Sequence, residues 1–163
     1  DPRTQHRHHV SANARAAALA GMHREELLAR FAYHDIPVPF TDLDFLRFFV
    51  FFLRGLPSGA EPTTCCARMI FGSAAAPRGV LIRYDTLSVH DSCGRVVETK
   101  HSLRPITADD YDEALRDRPH ECLNASMGDM RSGRQLLAAT AADRAKPIQA
   151  QAQTRLGRAA LDL

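Results

Sequence analysis

VLIRYDTLSVHDSCGRVVETKHSLRPI, residues 80 to 106, decides the fold. Val80 to His90 and Arg95 to Ile106 are rich in β-branched and aromatic residues, and Asp91-Ser92-Cys93-Gly94 between them are turn formers. The pattern predicts an antiparallel hairpin. Closing the turn on His90 and Arg95 sets a register in which Thr86 faces Thr99, Tyr84 faces His101 and Ile82 faces Leu103. Side chains alternate along a strand, so Val80, Ile82, Tyr84, Thr86 and Ser88 share one face with Val97, Thr99, His101 and Leu103. The other face carries Arg83, Asp85, Glu98, Lys100 and Arg104, and this register pairs Asp85 with Lys100. One face is therefore wet and the other needs a cover.

The expected cover is FTDLDFLRFFVFFLRG, Phe40 to Gly55. Thr41 and Asp44 have capping-box spacing, Asp42 and Asp44 suit the positive end of a helix, and Gly55 with Pro57 ends it. A helix over 42–54 is apolar nearly all the way round, with Arg47 and Arg54 as its polar stripe. A strand from Phe48 to Leu53 is the competing reading, and the caps and the length favour helix. The uncharged run of 48–53 falls short of the ~18 residues a membrane span needs. Five phenylalanines in eight residues exceed what a small sheet covers, so Phe45, Phe48, Phe49 and Phe52 are expected to form an interface as well.

Elsewhere the chain punctuates itself. Residues 1–10 read as a mobile polar tail, and the histidines at 6, 8 and 9 as part of it. Ser11 to Tyr33 reads as one helix or two, with Ser11 a candidate N-cap and Gly21 a break. Pro37 and Pro39 impose an extended connector. Thr63 to Phe71 is a candidate strand, and residues 72–79 a loop. Thr107 caps a helix beginning ADDYDEALRD, which Pro119 ends. Asn124 to Arg131 reads as a loop, Gly133 to Arg144 as an alanine-rich helix, and 147–163 as a weakly docked helix or a tail. The fold class is α+β: N- and C-terminal helices around a Phe-rich helix on a small antiparallel sheet, one domain over 11–146.

A net charge of +2 in 163 residues gives no electrostatic footprint for nucleic acid, and the arginines lack interleaved aromatics. Arginine greatly outnumbers lysine and alanine is abundant, which points to a GC-rich genome. The chain starts at Asp1 and reads as a trimmed or processed product with no signal-peptide run. A cytoplasmic location is expected, secretion after signal removal being the alternative. Four cysteines are too sparse for a disulfide scaffold and are expected to be reduced thiols.

Three sites merit testing. A Cys93–His101 dyad fails on geometry, because the hairpin puts Cys93 at the turn and His101 well down a strand. His90-x-x-Cys93 with His120-x-Cys122 offers four zinc ligands of two types but lacks paired C-x-x-C units, so no metal or cofactor is expected. Tyr84 beside His101 on the drier face places a phenol next to an imidazole, with Ser88, Thr86 and Thr99 on the same wall. Asn124-Ala125-Ser126 matches a glycosylation sequon by chance, and phosphate-loop and nucleophile-elbow motifs are absent. The leading expectation is a non-enzymatic interaction module, self-associating or binding another protein through helix 42–54, with no nucleic-acid or membrane partner. The alternative is a small enzyme with a helix–sheet pocket, using Tyr84 and His101 for acid–base chemistry.

Overall fold

A computed structural model describes residues 9–32, 51, 62–72 and 75–145. Two short helices, α1 (Ala14–Ala20) and α2 (Arg24–Ala32), precede three strands, β1 (Thr63–Gly72), β2 (Pro77–His90) and β3 (Val96–Pro105). Helix α3 (Ala108–Asp117), 3-10 turns at Pro119–Glu121 and Ala125–Met127, and helices α4 (Gly133–Ala138) and α5 (Thr140–Ala145) follow. The fold is α+β, with the strands in the order β1-β2-β3 and both pairs antiparallel. No helix among the described residues is long and apolar enough to cross a membrane.

The N-terminal segment divides at Gly21, whose φ of 69° lies in the left-handed region that glycine reaches without steric cost. Asn13, and not Ser11, caps α1 by accepting from the Ala16 N–H at 2.8 Å. Thr107 caps α3 as expected, and does so through a full capping box with Asp110.

The hairpin forms two positions out of the expected register. Tyr84 faces Leu103, Thr86 faces His101 and Ile82 faces Pro105. Two local features account for this. The turn closes one position tighter, where Asp91 N–H donates to the Arg95 carbonyl at 2.9 Å around Gly94, whose φ is 76°. The Asp91 carboxylate also accepts from the N–H groups of Cys93 and Arg95 at 2.8 and 2.9 Å. A bulge between Val89 and His90 then leaves Val97 without an opposite number and 62 % exposed, where the sequence placed it on the dry face. Because the total slip is even, the other side chains keep their faces. It does dissolve the expected Asp85–Lys100 pair: Asp85 lies opposite Ser102 and binds Thr64 at 2.6 Å and Arg83 at 3.4 Å.

β1 changes the expected picture of one wet face, because both its faces are buried from Cys65 to Phe71. One cluster joins Cys65, Ala67, Met69, Phe71, Ile82, Tyr84 and Leu123 on the predicted dry face. Leu19, Leu103, Val80 and Phe51 pack against it; Phe51 is helical and half-buried. The rest of the expected helix 42–54, including Phe45, Phe48, Phe49 and Phe52, lies outside the described residues, as do most of the expected terminal tails. The second cluster, Cys66, Leu81, Tyr111, Ala114, Cys122 and Leu136, covers the other face of β1 and β2 with α3 and α4. The wet surface that remains there belongs mainly to β3.

The expected alanine-rich helix over 133–144 is two short helices with a break at Ala139. At the break, the Thr140 hydroxyl bonds the Leu136 carbonyl at 3.1 Å, a back-bond that bends helices. Both helices lie close to the sheet because glycines leave room for them. A Cβ on Gly133 would stand 2.9 Å from Leu81 Cδ1 and 3.0 Å from the Ala108 backbone, and one on Gly79 would overlap the Thr140 hydroxyl.

Arg68 is a cation in the middle of β1, 2 % exposed. A buried charge is tolerated only with partners. Its guanidinium donates to the Leu136 carbonyl at 2.6 Å and to Asp143 of α5 at 2.9 Å. Asp143 also binds Arg131 at 3.0 Å, and Arg131 grips Asp129 through Nη2 at 2.7 Å and Nε at 2.9 Å. This chain of charges fastens the C-terminal helices to the sheet.

Candidate functional site

Tyr84 and His101 are brought together, although not as direct opposites. Tyr84 is on the central strand with its ring 5 % exposed, and its hydroxyl reaches diagonally across to His101 Nδ1 at 2.6 Å. Thr86, opposite His101, places its hydroxyl 3.3 Å from the same nitrogen, and Thr99 Oγ1 is 3.1 Å from Nε2. The two rings are 5.8 Å apart and inclined by 25°. A neutral imidazole fits this arrangement when the Tyr84 hydroxyl donates to Nδ1 and the Nε2 proton is donated to Thr99. The diagonal contact is a consequence of the register slip, which moves His101 from opposite Tyr84 to opposite Thr86.

His101 is solvent-exposed while Tyr84 is buried, so the pair joins the interior to the surface. Beside it lies an open depression of about 220 Å³ lined by Pro62, Asp85, Thr86, Leu87, Lys100, His101 and Ser102. Small-molecule sites usually enclose ~300 Å³ or more. Tyr84 does not line the depression. The geometry can pass a proton between phenol and imidazole, but it provides little enclosure for a substrate.

The other sequence candidates separate. Cys93 is exposed at the turn, and His101 lies well along β3 from it. Cys122 is buried against β1, far from the exposed surroundings of Cys93. Among the described residues, no three His, Cys, Asp or Glu side chains converge as a metal site would require.

What sequence reasoning missed is the condition of β3. Eight of its ten residues are exposed, Thr99 and Leu103 being half-buried. Beyond the bulge its hydrogen bonding has a fixed phase: Ile106 N–H donates to Leu81 O at 2.9 Å, so the even-numbered residues from Glu98 to Arg104 bond inward to β2. Odd-numbered residues, Thr99 among them, turn their backbone groups to the outer edge. Pro105 falls in that outward set, where its missing N–H costs the ladder nothing. Glu98 and Lys100 stand on one face of this rim, 3.7 Å apart and each more than half exposed. The opposite edge of the sheet is occupied at Cys66, which forms a parallel bridge with Cys122 and accepts from the Leu123 N–H at 2.9 Å.

These features define an α+β protein with a small sheet that is bridged at Cys66 on one edge and, among the described residues, has no strand beyond β3 on the other. Comparison with family models, curated proteins and solved structures found no match to this chain.

Proposed function

We propose that this protein is a self-associating interaction module, and that the β3 edge is where two copies meet. The observation that carries the reading is an edge strand exposed at eight of ten positions, a surface that other proteins shield or use. A second copy is the occupant that its charges fit. When two β3 strands run antiparallel with Thr99 on the two-fold axis, Glu98 of each copy lies beside Lys100 of the other. The exposed Val97 gains cover at the ends of the same seam. With Lys100 on the axis, two like charges would oppose each other, which disfavours that register.

Light scattering on the purified chain tests the reading, with a species of twice the 18.0 kDa chain mass expected. Lys100→Glu should shift it to monomer, and adding Glu98→Lys should restore the dimer. A strict monomer at all concentrations refutes self-association. A dimer indifferent to both charge changes, but lost in Phe48→Ser or Phe52→Ser, transfers the interface to helix 42–54.

A second reading, acid–base catalysis by Tyr84 and His101, is supported by their 2.6 Å contact. It predicts turnover of some member of an ester and phosphoester panel that His101→Ala abolishes without unfolding the chain. It ranks second because the adjoining depression is small and open and does not reach the tyrosine.

A further inference from the structure

Cys66 and Cys122 lie 56 positions apart in sequence, yet the parallel bridge sets them side by side. Register partners on adjacent strands are ~4.8 Å apart, inside the ~4.4–6.8 Å Cα separation that a disulfide spans. Both side chains belong to one buried cluster, 4 % and 0 % exposed, and both are free thiols. We propose that this pair is a redox-active dithiol, closing to an intramolecular disulfide on two-electron oxidation by a peroxide.

Neither of the other cysteines competes. Cys65 is next to Cys66 in sequence, but strand alternation points it into the opposite cluster. Cys93 is exposed at the hairpin turn, away from both clusters. The pair is also asymmetric. Interaction with Cys122 lowers the Cys66 pKa against the opposing effect of burial, and interaction with Cys66, followed by burial, raises the Cys122 pKa. Cys66, 4 % exposed against 0 % for Cys122, is also the sulfur nearer to solvent and is the attacking one.

The chemistry balances with hydrogen peroxide as oxidant, a molecule small enough to reach a nearly closed site. Cys66 thiolate attacks one peroxide oxygen and the O–O bond breaks. The leaving hydroxide takes a proton to become water, and Cys66 becomes a sulfenic acid. Cys122 then gives up its proton and attacks Cys66 Sγ, forming the S–S bond as the sulfenic oxygen leaves as a second water. Two thiols lose two protons and two electrons, and one peroxide becomes two waters. The product ties the segment around the two 3-10 turns covalently to β1.

The test is equimolar hydrogen peroxide on the full-length chain, followed by thiol counting in denaturant and peptide mapping without reductant. The expected result is loss of two of the four thiols and one linked peptide pair carrying Cys66 and Cys122. The thermal midpoint should rise by roughly 10 °C and fall back with dithiothreitol. Cys93→Ser, at an exposed position, should give the same link. Retention of all four thiols, oxygen addition at Cys66 without a link, or a link through Cys65 or Cys93 would each overturn the proposal. None of these outcomes depends on whether the β3 edge self-associates.

Discussion

Arg68 and Tyr111 show what single residues contribute when burial is complete. Arg68 keeps its charge inside β1 only because Asp143 and the Leu136 carbonyl meet it. Arg68→Ala should therefore cost about 3–5 kcal/mol, since it leaves Asp143 desolvated with half its partners, whereas Arg68→Met should cost distinctly less. Denaturant melts of both variants measure the difference, and equal losses would mean the charge pair is incidental. The Tyr111 hydroxyl is fully buried with no hydrogen-bond partner among the described residues, and burial drives its pKa well up. Tyr111→Phe is expected to be neutral or to stabilise by about 1 kcal/mol. A clear loss instead would reveal a bridging water. Neither residue's role was legible in the sequence. The strand pattern around Arg68 is read locally, and its partner Asp143 arrives from a helix at the far end of the fold.

At the scale of elements, the Thr107 cap and the alternation were legible, while the Asn13 cap and the register were not. Thr107 and Asp110 carry a signal within one turn of helix, and the structure uses both halves of it. Thr107→Ala should remove about 1 kcal/mol of stability, read as a lower urea midpoint at unchanged slope. Face assignment on the hairpin survived because the slip was even. The slip itself came from a tighter turn closure and from the bulge at Val97, which single-residue propensities do not encode. The two-helix end of the chain was likewise half visible: alanines announce helix, but the break depends on where Thr140 must clear Gly79. Gly133→Ala tests this packing. Its new methyl meets the Ala108 backbone at 3.0 Å, so the helix must retreat, with an expected cost of about 1–3 kcal/mol. Stability unchanged by that substitution would show that α4 seats more loosely than its glycine suggests.

For the whole molecule, the charge network sets the response to acid. Arg131 holds the Asp129 carboxyl down to about 2. At Asp143, burial pushes the pKa up but the hydrogen bonds of Arg68 and Arg131 outweigh it and leave it low. Carboxylates depressed in the folded state stabilise above the unfolded pKa of ~3.9, and that contribution is lost as pH falls through the folded value. Stability should thus decline from near pH 4 toward pH 2, and Asp129→Asn should flatten the profile in that window while lowering the neutral-pH midpoint. A profile unchanged by the substitution would assign acid sensitivity to other groups. The bridge at Cys66 has a consequence for growth. Residues 122–123 already sit across the β1 edge at Cys66, so a second molecule cannot pair with β1 there. Like β3 edges joined about a two-fold would consume both β3 edges at once. On the proposed pairing, assembly through β3 would be self-limiting, because a pair leaves no β3 edge from which a fibre could lengthen.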